Sequence, residues 1–212
     1  MQHPIHFVRA GVLLALISIM ARPAAVHAQS TARFGIKGGL NASTLFIDNV
    51  DNRRERIGFH AGVFAQAPIT SFIAIQPELL YTTKGASADY NLPLFRGKNT
   101  FQLNYAELPL LLTFKLGNTA ELQAGPYAAY LLNANIKTEG SFGSGTRDIN
   151  ADNFNRLDYG LAGGLNVYFG KALIGLRYGQ GLNRIASDGI GRDLLGNTKN
   201  AVGMVSVGFS LN

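Results

Sequence analysis

The feature that most limits how this chain can fold is an alternation of apolar and polar side chains that recurs in eight segments. Successive side chains of a strand point to opposite faces, so a period of two implies strands with one greasy and one polar face. The clearest case spans residues 103–117. There Ala106, Leu108, Leu110, Leu112, Phe114 and Leu116 share one parity, while Glu107, Thr113 and Lys115 share the other. The remaining segments run from Arg33 to Ser43, Ile57 to Ala67, Phe72 to Gly85, Glu121 to Lys137, Arg156 to Phe169, Ala172 to Asn183 and Ala201 to Leu211.

The connections between them alternate as well. Pro68-Ile69-Thr70-Ser71, Gly117-Asn118-Thr119-Ala120 and Gly170-Lys171 are minimal turns. The others are longer and polar, such as Asp48 to Arg56 and Thr138 to Phe154. Short, long, short, long is the pattern of an up-and-down barrel with one tight end and one elaborated end. The expected fold is therefore all-β, an eight-stranded antiparallel up-and-down transmembrane β-barrel over residues 29–212. Residues 1–28 read as a cleaved signal peptide: a basic start, the apolar run Ala10 to Met20, and small residues at Val26-His27-Ala28. That run is too short to span about 30 Å of hydrocarbon. The mature chain of about 184 residues would carry roughly +4, which gives little reason to expect a nucleic-acid partner. With no cysteine, disulfides and thiolate metal sites are excluded.

The two parities decide which face meets water. The polar one carries glycines (Gly35, Gly58, Gly62, Gly125, Gly160, Gly164) that suit a crowded lumen. It also carries charges of both signs, which must pair if enclosed, because an isolated buried ion costs several kcal/mol. The expected lumen network is Lys37, His60, Glu78, Lys84, Glu107, Lys115, Arg156, Asp158 and Arg177, joined by Arg33 and Glu121 on the same parity. On the apolar parity, aromatics fall at two heights: Phe34, Phe114, Phe169 and Phe209 near the tight end, and Phe59, Tyr81, Tyr130, Tyr159 and Tyr178 near the loops. Two such belts match the girdles that mark lipid interfaces. The tight turns are then expected on the periplasmic side, with the long loops outside the cell. Pro77, Pro109 and Pro126 lie inside strands, where each removes a ladder hydrogen bond, so a bulge or widening is expected at each.

The words Gln76-Pro77-Glu78-Leu79-Leu80-Tyr81-Thr82-Thr83-Lys84-Gly85, Leu103 to Leu112, Gly125-Pro126-Tyr127 and Gly175-Leu176-Arg177-Tyr178 resemble the PorT-type family of outer-membrane β-barrel proteins. So does the opening Phe34-Gly35-Ile36-Lys37-Gly38-Gly39-Leu40-Asn41. The resemblance covers essentially the whole mature chain. It implies a small barrel of OmpA or OmpX type in a Gram-negative outer membrane, and it raises a component of a secretion or envelope assembly system as an alternative role.

Catalytic chemistry finds little footing. Only His60 among the four histidines lies beyond the signal, and a general base needs a partner within hydrogen-bond reach. A lipid-acting enzyme is the third reading. Neither Asp48, Asp51 and Glu55 nor Asp148, Asp152 and Asp158 has calcium-loop spacing. Gly140 to Gly145 lacks the Lys-Ser/Thr ending of a phosphate loop and reads as a hairpin tip. No catalytic, cofactor or metal residues are assigned. The expected partners are outer-membrane lipid around a monomeric barrel and an unidentified protein or ligand at the external loops. The expected role is structural or surface-interacting.

Overall fold

Every strand of the computed structural model lies antiparallel to its neighbours, and the first strand also pairs with the last. The structure describes residues 32–46, 54–92, 95–140, 143–149, 155–183 and 199–212. The expected signal segment, and residues 47–53 of the first long loop, lie outside them. The strands are β1 (Arg33–Phe46), β2 (Arg54–Pro68), β3 (Ile73–Leu92), β4 (Phe95–Leu116), β5 (Ala120–Gly140), β6 (Gly143–Ile149), β7 (Leu157–Phe169), β8 (Ala172–Gly181) and β9 (Lys199–Ser210). The wall is closed by eight strands, in the order β1-β2-β3-β4-β5-β7-β8-β9 and back to β1.

Closure removes every sheet edge from the wall and satisfies its backbone polar groups internally. The alternation then sorts the side chains as expected: Leu40 and Val207 are each 63 % exposed, whereas Lys84 is 0 % and Glu78 3 %. All nine belt aromatics lie on the exposed outer surface. The belt rows are set by register. Tyr81 pairs with Ala106, which pairs in turn with Tyr130, and the Phe59 and Tyr81 rings lie 5.8 Å apart. At the tight end, Gly117 turns β4 into β5 at φ 71°, a backbone conformation open to glycine. The β2–β3 turn is held by Thr70, whose Oγ1 accepts from the Ile73 amide at 3.0 Å.

Four features differ from the sequence expectation. The strands run further than the oil pattern does: β3 and β4 stay paired out to Leu92 and Phe95, and β5 continues to Gly140. Arg54, Glu55 and Arg56, read as loop residues, belong to β2. The sixth expected strand comes in two pieces. Its upper part, β6, pairs with β5 from Ala134 to Gly140, and its lower part, β7, pairs with β5 from Ala120 to Tyr130. Between them the Leu131 amide donates to the Arg156 carbonyl at 2.7 Å.

The third difference concerns the prolines. Pairing lapses for a rung or two beside them but resumes in the same register, so none carries a bulge. The shifts fall elsewhere, between Glu55 and His60 on β2 and between Asn104 and Tyr105 on β4. The second shift slips β5 by one residue, and a one-residue slip reverses the faces of a strand. Ala134 is consequently buried and Asn133 exposed, the opposite of their expected parity. The fourth is Arg156, assigned above to the lumen. It is exposed, in the bend that precedes β7 at the rim.

Candidate functional site: the polar network inside the barrel

Side chains from all eight strands of the wall meet along the barrel axis, and two ionic centres organise them. The first is Glu78 on β3. Arg177 from β8 donates to it through both prongs, Nη1 to Oε2 at 2.7 Å and Nη2 to Oε1 at 2.8 Å. Lys37 from β1 donates Nζ to both oxygens at 3.0 Å. Gln76 adds a fourth donor at 2.7 Å. A carboxylate between two cations is thus fully hydrogen-bonded, which is the condition for burying such charges without prohibitive cost.

From this centre, amide side chains carry the network toward the tight end. Arg177 donates to Gln123 at 3.0 Å, Gln66 donates to Gln76 at 2.9 Å, and Gln66 also donates to Glu121 at 3.0 Å. Glu121 in turn accepts from Arg33 at 3.2 Å, and the Arg33 guanidinium lies 4.4 Å from the centre of the Tyr168 ring. Lys115 pairs in register with Glu121 and is half-buried.

The second centre inverts the first. Lys84 on β3 lies between two carboxylates, Glu107 on β4 at 2.7 Å and Asp158 on β7 at 3.3 Å. Its ammonium is also 4.5 Å from the centre of the Tyr127 ring, a cation–π contact. Asp158 takes a further hydrogen bond from Asn200 on β9 at 2.9 Å. Since β3 rises from Glu78 toward Lys84, this centre is the one nearer the long loops.

His60 occupies the wall between β1, β2 and β9. Its Nδ1 is 2.7 Å from Asn41 Oδ1, and its Nε2 is 2.8 Å from Ser206 Oγ. Asn41 spends its Nδ2 hydrogens on Phe59 O, Thr82 Oγ1 and Thr83 O, so its Oδ1 faces the ring as an acceptor. In the neutral ring, Nδ1 therefore carries the proton and Nε2 accepts from the serine hydroxyl. The connectivity of Ser206, His60 and Asn41 is that of a hydrolase triad. All three are buried, however, Ser206 being 4 % exposed, and a side chain at Gly39 would run into the backbone of Val205 and Ser206. Among the described residues the hydroxyl is enclosed. The arrangement stitches strands together.

The sequence-assigned residues Lys37, Glu78 and Arg177 thus form one centre, and Lys84, Glu107 and Asp158 the other. His60 stands beside them, and Arg156 lies outside. Asn41, Gln66, Gln76, Gln123, Asn200 and Ser206 were not assigned. Their signal was their place on the polar parity, which marks uncharged amides and hydroxyls as lumen residues as firmly as it marks charges. Among the described residues no helix is long and apolar enough to cross a membrane.

The model of a family described as "outer membrane protein beta-barrel domain" matches residues 27–187. No curated protein matches this sequence. Among solved structures, Ail, the attachment invasion locus protein of Yersinia pestis, in complex with the heparin analogue sucrose octasulfate, is similar with a TM-score of 0.50 at 14% identity, covering 86% of this chain and 100% of that one. OprG from Pseudomonas aeruginosa is similar with a TM-score of 0.41 at 17% identity, covering 88% and 99%. Neisserial surface protein A is similar with a TM-score of 0.46 at 11% identity, covering 85% and 99%.

Proposed function

The chain belongs to the outer membrane β-barrel family and resides in the outer membrane, and from that premise we propose that it is a structural and surface-interaction protein without catalytic activity. One observation supports this above the rest: the lumen is filled by paired ions, amides and aromatic rings, while the strands continue beyond the rim as hairpins. Among the described residues the barrel is packed in this way, and at eight strands a barrel interior holds side chains only. What it does present is a wall of hydrocarbon and an elaborated end.

Around the wall, lipid is the natural partner. The aromatics Phe34, Phe114, Phe169 and Phe209 would sit at the inner interface, and Phe59, Tyr81, Tyr130, Tyr159 and Tyr178 at the outer one. The long loops would face outward and the tight turns the periplasm, with the barrel a monomer in its own membrane. Within the family, the words around Gln76, Leu103 and Gly175 support a PorT-type kinship. That kinship keeps a secretion or assembly role as the second reading.

The test is photo-crosslinking from Thr146 on β6 in living cells, alongside purification of the mature chain. The expected results are capture of a surface or external partner, and a barrel that stays folded only in detergent or lipid. A monodisperse, folded chain in plain buffer would end this reading. Capture of export machinery alone would favour the secretion role.

A further inference from the structure

Three prolines stand close together in the wall. Pro77 on β3 lies opposite Leu110 on β4, the residue after Pro109, and Pro109 lies opposite Tyr127 on β5, the residue after Pro126. A proline gives no ladder hydrogen bond and is normally confined to sheet edges. Here each falls on an interior strand of a closed wall, and pairing lapses around them in three consecutive seams. The gaps are residues 65–66 against 76–77 between β2 and β3, 78–79 against 108–109 between β3 and β4, and 110–111 against 125–126 between β4 and β5. The other five seams of the wall run without a gap.

The lumen braces the first two gaps from behind. Gln66 donates to Gln76 at 2.9 Å across the first, and Glu78 in the second is held by Arg177 and Lys37. The third is different. Among the described residues no side-chain hydrogen bond spans it, and Gln123 donates to Thr113 at 3.4 Å only below it, toward the tight end. Its strands lie against each other because residue 125 is glycine: a Cβ there would strike the Leu110 carbonyl oxygen. Behind the gap the lumen face is apolar, with Leu111 in the gap itself and Tyr127, Ala129 and Leu131 rising from it toward the loops. In front of it, Leu108 and Leu110 are exposed on the outer surface.

We propose that the β4–β5 gap is a lateral door, where the wall parts locally and an acyl chain of the surrounding lipid reaches Leu111 and the cluster behind it. Backbone in hydrocarbon is held together by its own ladder, so a wall yields first where rungs are missing. Parting at the first two gaps would bring lipid against Gln76 or Glu78. Parting at the third brings hydrocarbon against hydrocarbon, and Gly125 and Pro126 add no polar side chain to the passage. That contrast identifies both the seam that opens and the chemistry of what enters. The inference rests on the reading above that the outer wall meets lipid.

The experiment uses the purified full barrel in vesicles that contain phosphatidylcholine with a diazirine at mid-chain, and labelled residues are identified by mass spectrometry after illumination. The outward-facing Leu110 and Leu112 are expected to be labelled, and so are the lumen-facing Leu111 and Tyr127. The double variant Pro109→Val, Pro126→Val supplies the two missing amides, so its lumen labels should be lost while its outward labels stay. Wild-type labelling confined to outward residues, or lumen labelling that survives the double variant at the wild-type level, would overturn the proposal. Hydrogen exchange on the wild type decides the matter without any variant. The amides of Leu111 and Gly125 should exchange faster than those of Leu165 and Leu176, which pair in an unbroken seam at β7–β8, and equal rates would overturn the door. Absence of label at Leu110 and Leu112 would instead count against the membrane reading itself.

Discussion

Arg177 on β8 and Glu78 on β3 meet through both prongs of the guanidinium, at 2.7 and 2.8 Å, although their strands are not neighbours in the sheet. The pair is a strut through the lumen, and Lys37 on β1 braces the same carboxylate from a third side.

Replacing Glu78 with Gln keeps the volume but leaves two buried cations with no anion between them. The expected loss of stability is about 3–5 kcal/mol, the range for breaking a buried ion pair by removing one partner. It is read as a lower midpoint in urea unfolding from lipid vesicles. A loss below about 1 kcal/mol would mean that water or relaxation screens these charges.

Gly85 is the position where a side chain is least tolerable for two reasons. Its φ is 140°, and an added Cβ would run into the Phe101 carbonyl oxygen on β4. Gly85→Ala should cost about 1–3 kcal/mol through backbone strain alone. Gly145→Ala, in open space on β6, should leave stability unchanged. Heat-modifiable migration of the folded band on gels compares the two directly, and equal behaviour would refute the assignment.

On the outer wall, Leu176 lies midway along β8 between Leu165 and Val205 and is 55 % exposed. A charge there faces hydrocarbon, so Leu176→Arg should destabilise by about 2–4 kcal/mol, as cationic substitutions at mid-depth do in membrane barrels. Folding yield into vesicles measures it. A neutral result would place water, not lipid, against that surface.

Ser206 should resist labelling by a fluorophosphonate probe in the folded barrel, because its hydroxyl is enclosed with His60 and Asn41. His60→Ala should lower stability and abolish no hydrolysis of lipid, ester or peptide substrates. Stoichiometric labelling of Ser206 would force the enclosed triad to be read as a catalytic one.

The barrel is legible in the chain because a wall with oil on one side and ions on the other must alternate. Where both faces are wet, that contrast fades, so β3 beyond Gly85 and β4 before Leu103 read as loop although they are paired. At Leu132 the alternation breaks through a slip on β5 that has no composition of its own. Which charge meets which was also hidden. Lys84 and Asp158 are 74 positions apart, on strands that only ring closure brings across the lumen from each other. Arg156 misled because parity predicts a face only inside a strand, and it stands in the bend just before one.

The two ionic centres stack with opposite bias, one carboxylate with two cations below, one ammonium with two carboxylates above. A permeating chloride would be repelled at the loop end and a permeating sodium nearer the tight end, so neither species would find a continuous downhill route even if the packing loosened. The order of the barrel's own fixed ions would thereby oppose leakage of either polarity.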